Sequence, residues 1–223
     1  LLAKHSGTAA VKARPGLKAQ IDTVRGKGSR LKTYELTLQQ GAPVKEVGLA
    51  AYAGCKSTVV SLRSERHERP YSTTGTYLVS SMSFRTFLRF AVTRREGGPL
   101  PDDVEIVSAR VLLSKRAYAP YLELHAVLGP WDQETVCHNL AAAGRKWKTP
   151  GGDVEEKPAA VCDLGARYGR LSKEERLALW KGPAWCEFDV TESLRDALKE
   201  NRNHGWRLDA FRGEKHETHS NLV

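Results

Sequence analysis

The side chains able to do chemistry in this 223-residue chain are few and poorly grouped for it. His216-Glu217-Thr218-His219 offers two imidazoles to a metal ion. A His-x-x-His spacing outside a helix is a weak ligand pattern, however, and no further His, Cys or Asp is evidently fixed beside it. Cys137-His138 sets a thiol next to an imidazole, but neighbours in an extended segment point to opposite faces. Nucleophile and base must meet in space, so adjacency along the chain is no sign of catalysis. Glu65, His67 and Glu68 sit among Arg63, Arg66 and Arg69 and read as a charged surface loop. Gly26-Lys27-Gly28 is too short for a phosphate-binding glycine loop and has no helix after it. Neither an active site, a metal site nor a cofactor site is expected.

Binding chemistry is better represented. Residues 1–32 hold eight basic residues, Lys4, Lys12, Arg14, Lys18, Arg25, Lys27, Arg30 and Lys32, against the single acid Asp22, a charge of +7. The whole chain carries +9, so only +2 is left for residues 33–223. A cationic extension on a nearly neutral body attracts polyanions through counterion release, in a salt-dependent and sequence-tolerant way. These eight residues are therefore the candidate contacts to protein subunits or RNA. A second cluster, Arg145-Lys146-Trp147-Lys148, places an aromatic ring among cations, which suits stacking on a base or a charged sugar at the surface. The other tryptophans, Trp131, Trp180, Trp185 and Trp206, would form a sugar platform only if several were exposed in a row. Trp180, Trp185 and Trp206 lie on segments with a buried face, and core packing is the expectation for them.

The elements that would carry these groups are mostly strands. Thr33–Leu38, Val47–Tyr52, Thr58–Leu62, Thr76–Val79, Phe84–Val92, Val104–Leu113, Tyr121–Val127, Trp185–Val190 and Trp206–Phe211 read as extended, several with strict alternation. In Phe84–Val92, for instance, Phe84, Thr86, Leu88 and Phe90 fall on one face, and Arg85, Phe87 and Arg89 on the other. Leu171–Trp180 reads as a short helix with a Ser172/Glu175 capping box, and Glu192–Glu200 as a second. A further short helix is suggested near Leu17–Val24. Residues 130–170, rich in Gly, Pro and Lys, read as an irregular excursion. Many short strands with two short helices predict a mostly β, antiparallel, jelly-roll-like sandwich preceded by an extended basic arm.

Four scattered cysteines, Cys55, Cys137, Cys162 and Cys186, form no Cys-x-x-Cys pair, so a disulfide scaffold is not expected; one bridge or four free thiols are both compatible with the spacing. No apolar run approaches the length of a membrane-spanning helix, and membrane insertion is not expected. The opening Leu1-Leu2-Ala3-Lys4-His5, without Met, reads as a processed or truncated start and not as a secretory signal.

The order of several segments is more specific than any one of them. Tyr71-Ser72-Thr73-Thr74-Gly75-Thr76-Tyr77-Leu78-Val79 is followed by Arg85-Thr86-Phe87-Leu88-Arg89-Phe90 and then by Leu100-Pro101-Asp102-Asp103 leading into Ser108-Ala109-Arg110-Val111-Leu112-Leu113. Trp131-Asp132-Gln133-Glu134, Phe188-Asp189-Val190-Thr191 and Asn203-His204-Gly205-Trp206-Arg207-Leu208 follow in turn. In this order the pieces resemble the DNRLRE domain family across about residues 58–223. That resemblance implies a jelly-roll sandwich related to alginate-type carbohydrate-binding modules and to transforming growth factor-β propeptides. It also implies a non-catalytic role in adhesion, carbohydrate binding or scaffolding. The expected organisation is a basic arm over 1–32, linking strands over 33–57 that pack on the sandwich, and the DNRLRE-like sandwich over 58–223. The family pattern lacks the arm and has a last strand beyond the Asn-Gly element, which residues 33–62 or a partner must supply. The expected function is a structural or binding subunit of a large assembly, with a mitochondrial complex as the setting. The alternative is a secreted module for an acidic polysaccharide.

Overall fold

In a computed structural model the described residues are 17–25, 32–63, 68–70, 78–80, 83–115, 121–163, 172–174, 184–210 and 220–222. They form two antiparallel sheets packed face to face, one helix, and a third layer of irregular chain. The strands are β1 (Leu17–Arg25), β2 (Lys32–Leu38), β3 (Cys55–Ser61), β4 (Leu78–Ser80), β5 (Phe84–Phe90), β6 (Glu105–Lys115), β7 (Tyr121–Ala126), β8 (Leu140–Ala142), β9 (Arg145–Lys146), β10 (Ala160–Asp163), β11 (Ala184–Asp189), β12 (Trp206–Ala210) and β13 (Ser220–Leu222), with α1 over Thr191–Lys199. The first sheet runs β2-β1-β6-β13-β4, with β11 also paired to β6; the second runs β10-β7-β12-β5-β3. The β-sandwich expected from alternation is the fold.

Alternation explains which side chains meet. In β1, Ala19, Ile21 and Thr23 point inward, and in β2 Tyr34, Leu36 and Leu38 do the same. They meet Leu88 and Phe90 of β5, Leu122 and Leu124 of β7 and Leu208 of β12 in one apolar core. Each fully buried Leu or Phe there contributes on the order of 1.5–3 kcal/mol.

Three expectations are corrected by this arrangement. Leu17–Arg25 is a strand and no helix: β1 is hydrogen-bonded on both sides, to β2 with Ile21 opposite Leu36 and to β6 with Ile21 opposite Ala109. Residues 17–25 of the supposed arm are therefore an interior strand of the sandwich. The reason is the spacing of Ala19, Ile21 and Thr23, which needs an extended backbone to bury one row of side chains. Next, Val47–Tyr52 forms no strand; a 3-10 turn over Lys45–Val47 and a bridge between Val44 and Leu49 replace it, with Gly48 in the left-handed region at φ 70°. Finally, the strand beyond the Asn-Gly element is β13, which pairs with β4 and with Lys115 of β6, while residues 33–62 add β2 beside β1 and β3 beside β5.

The segment expected to be an irregular excursion is a covering layer. Residues 127–154 fold over the outer face of the second sheet, where Val60 and Phe87 would otherwise face water. Trp131 and Trp147 both lie on the Phe87 ring, with centroids 5.6 and 5.5 Å away. Arg207 fastens this layer, donating from Nη1 to Gly151 O at 3.1 Å and Gly152 O at 3.0 Å. Its Nε and Nη2 hold both oxygens of Asp209, which also takes Arg85 Nε at 2.9 Å.

The helix expected over Glu192–Glu200 is α1. Asp189 Oδ1 accepts from the Thr191 N–H and hydroxyl, and these bonds hold its carboxyl below the usual carboxylate range. Trp206 Nε1 donates to Ser193 Oγ and ties the helix to β12. The other expected helix, Leu171–Trp180, lies outside the described residues apart from 172–174.

Candidate functional site

The predicted binding residues separate into three groups. Lys4, Lys12, Arg14, Lys27 and Arg30 lie outside the described residues. Arg25 and Lys32 face each other across the β1–β2 pair as the last and first residues of their strands. Lys18 lies on the outward side of β1, and its ammonium sits 4.5 Å from the centre of the Trp185 ring. Trp185 was expected in the core. Its neighbours Cys186 and Phe188 take the inward positions instead, and Trp185 shares the outward side of β11 with Glu187 and Asp189.

The second cluster does not form the expected stacking surface. Arg145, Lys146 and Lys148 are exposed, but Trp147 is only 6% exposed. Its ring is stacked on Phe87 at an interplanar angle of 18°, and its Nε1 donates to Cys137 O at 3.1 Å. The apolar outer face of β5 draws the indole inward, and burial of that area outweighs what a solvated ring would gain among cations.

The other chemical candidates resolve in the same way. The four cysteines are buried, and no disulfide joins any two of them. Among the described residues no three His, Cys, Asp or Glu gather closely enough to hold a metal ion. His216 and His219, and Glu65 and His67 of the charged loop, lie outside the described residues, and Glu68 is exposed. Among the described residues no helix is long and apolar enough to cross a membrane.

A site that the sequence reading missed lies at one end of the sandwich. A cavity of about 540 Å³ opens between the 3-10 turn Arg94–Glu96, the start of β6, the C-terminal half of α1 and the 201–204 connection. Val104, Ile106 and Leu198 make its apolar wall, and Arg89, Arg95, Arg195 and Lys199 bring cationic groups to it. These residues come from segments far apart in the chain, so no spacing rule could have grouped them.

Two of the three acids that line this cavity, Glu96 and Asp102, brace its loops, and the third is Glu105. Glu96 Oε2 accepts from the Val92 and Thr93 N–H groups at 3.1 and 3.3 Å, and its Oε1 lies 3.5 Å from Arg89 Nη2. Asp102 Oδ1 accepts from the Arg95 N–H at 2.8 Å. Two of the cations, in contrast, are bonded to neutral oxygens. Arg95 donates to Asn201 Oδ1, while Arg195 donates to Ile106 O at 2.7 Å and Val107 O at 2.9 Å. Neither makes a salt bridge among the described residues, and Arg89 Nε is buried there with no acceptor.

His204 sits in this field. Burial lowers its pKa below the ordinary 6.5, and the nearby charges of Arg89, Arg202 and Arg145 lower it further. The unfolded chain takes up a proton near 6.5 while the folded one does not, so stability present above that pH is lost as the pH falls through it. We expect the urea midpoint to fall between about pH 7.5 and about pH 5.5, and to fall less in His204→Gln. Equal slopes for the two proteins would show that His204 is not the group responsible.

No family model, no curated protein and no solved structure matches this chain.

Proposed function

We propose that the protein is a non-catalytic structural or binding subunit of a larger assembly, held on a polyanionic surface of protein or RNA by its basic N-terminal segment. The observation that carries this reading is the separation of charge, +7 in residues 1–32 against +2 in the rest. The strand that follows residues 1–16, β1, is an interior strand, so the basic segment joins the sandwich at its centre. The resemblance to DNRLRE domains, common as non-catalytic parts of larger extracellular proteins, supports the same class. A mitochondrial complex remains the proposed setting.

One specific observation favours a second reading, a module for an acidic polysaccharide. Trp185 and Lys18 pair on the outer side of the first sheet, and an aromatic face beside a cation suits a uronic sugar.

Removal of residues 1–32 would destroy β1 and test only folding. The informative variant keeps the full chain and replaces Lys4, Lys12, Arg14, Lys27 and Arg30 by Gln. In the first reading it leaves its native complex at physiological salt, as seen by size fractionation. If the partner surface is single-stranded RNA, the slope of log affinity against log salt falls by about 3.5. Unchanged incorporation would end the first reading. Retardation of the unmodified protein in an alginate gel, with no binding to RNA, would establish the second.

A further inference from the structure

We propose that the end cavity is a binding site for a small oxyanion carried on an apolar body, a phosphomonoester or a carboxylate, separate from the polyanion contacts of the N-terminal segment. Its volume, about 540 Å³, falls in the range of roughly 300–1,000 Å³ typical of small-molecule sites.

The arrangement of charge selects the ligand. Glu96 Oε2 and Asp102 Oδ1 accept from the N–H groups of Val92, Thr93 and Arg95 and hold the 92–102 turn in shape, Glu96 Oε1 pairs with Arg89, and Glu105 is the third acid on a lining that carries four cations. Arg95 and Arg195 are oriented by neutral oxygens, which fixes the guanidinium planes without neutralising them. Arg195 uses Nε and Nη2 for this, leaving Nη1 without a bond among the described residues. Arg89 adds a buried Nε that has no acceptor. Guanidinium groups held in orientation beside an apolar wall bind oxyanions better than freely rotating lysines do.

The apolar wall of Val104, Ile106 and Leu198 decides the rest of the ligand. A bare inorganic ion would leave that wall wet, whereas a ring or a short alkyl group would cover it. His204 gives the site an internal reporter. Its backbone is fixed, since His204 O accepts from Trp131 Nε1 at 2.8 Å, and its imidazole faces the same cations. An anion placed among them offsets their repulsion of the imidazolium.

The test uses the full chain and three probes of one shape: phenyl phosphate, benzoate and phenol. Binding is followed by calorimetry and by the pH titration of the His204 ring protons in NMR. The expected result is saturable one-to-one binding of at least one anion, an upward shift of the His204 titration in its presence, and at least tenfold weaker binding of uncharged phenol. The double variant Arg95→Gln/Lys199→Gln, whose replaced side chains stand on exposed positions, should bind the anion weaker by about tenfold or more while keeping its melting temperature. The variant with Lys4, Lys12 and Arg14 replaced by Gln should bind it as well as the unmodified chain, which separates this site from the function proposed above. Tighter binding of phenyl phosphate assigns the site to phosphate esters, and tighter binding of benzoate to carboxylates. Equal binding of phenol, no response of His204, or loss of binding only in the N-terminal variant would overturn the proposal.

Discussion

Gly205→Ala is expected to remove roughly 3–4 kcal/mol of stability, about 1–2 from the left-handed backbone and the rest from overpacking. Gly205 has φ 79°, and a Cβ built there would lie 2.1 Å from Leu88 O and 2.7 Å from Arg89 Cβ. Those are backbone and near-backbone atoms of β5, the strand that β12 must join, so the clash has nowhere to go. The residues around Gly205 bind several layers together. Asn203 Nδ2 donates to Phe90 O, Asn203 Oδ1 accepts from the Gly205 N–H, and Gly205 O accepts from Val127 N–H at the start of the covering layer. For a chain above 200 residues this loss corresponds to a fall in melting temperature of about 10 °C. Gly144→Ala is the control: φ is 72° there as well, but nothing lies within 4 Å of the added carbon. It should cost only about 1 kcal/mol. Similar losses at both glycines would refute the packing argument at Gly205.

Asp209→Ala should be comparably damaging, at about 3–5 kcal/mol, because it strands two largely buried cations. The side chains of Arg85, Arg207 and Asp209 are 24%, 15% and 13% exposed. Burial and then the neighbouring Arg207 oppose the charge on Arg85, while Asp209 supports it. Without the carboxylate, Arg207 also loses the partner that aims its Nη1 at the carbonyls of Gly151 and Gly152. The covering layer should therefore loosen before the sandwich melts. Trypsin then cuts at Arg145, Lys146 or Lys148 at temperatures where the unmodified protein resists. A variant that melts earlier with no change in this cleavage would show that the cluster does not hold the layer in place.

The parts of the fold that alternation could reach were legible beforehand. Phe84–Phe90 was assigned two faces, and the structure buries Leu88 and Phe90 in the central core and Phe87 under the outer layer. The helix read over Glu192–Glu200 is α1, Thr191–Lys199. The same rule applied to β11 would have turned Trp185 outward, since Cys186, Phe188 and Val190 claim the inner positions. β1 was obscured by its surroundings: Gly, Pro and Lys on both sides masked a period-two pattern inside it. Trp147 was beyond reach for a different reason. Its three cationic neighbours describe the outward half of a short hairpin and carry no trace of Phe87, which lies far away in sequence. The end cavity is harder still, because a turn, a helix end and a strand start build it, and each reads locally as capping or solvation.

The position of β1 between β2 and β6 also bears on how the protein is made. During synthesis β1 leaves the ribosome ahead of the strand it must lie beside, β6, which follows only after β2, β3, β4 and β5, and β11 and β13, which also pair with β6, come later again. Until then the β1–β2 hairpin carries Ile21, Leu36 and Leu38 with no sheet to cover them. Such distant pairing folds slowly and exposes a sticky edge to other nascent chains. The cluster of positive charge flanking that hairpin then acquires a second use, since like-charged copies repel one another while they wait.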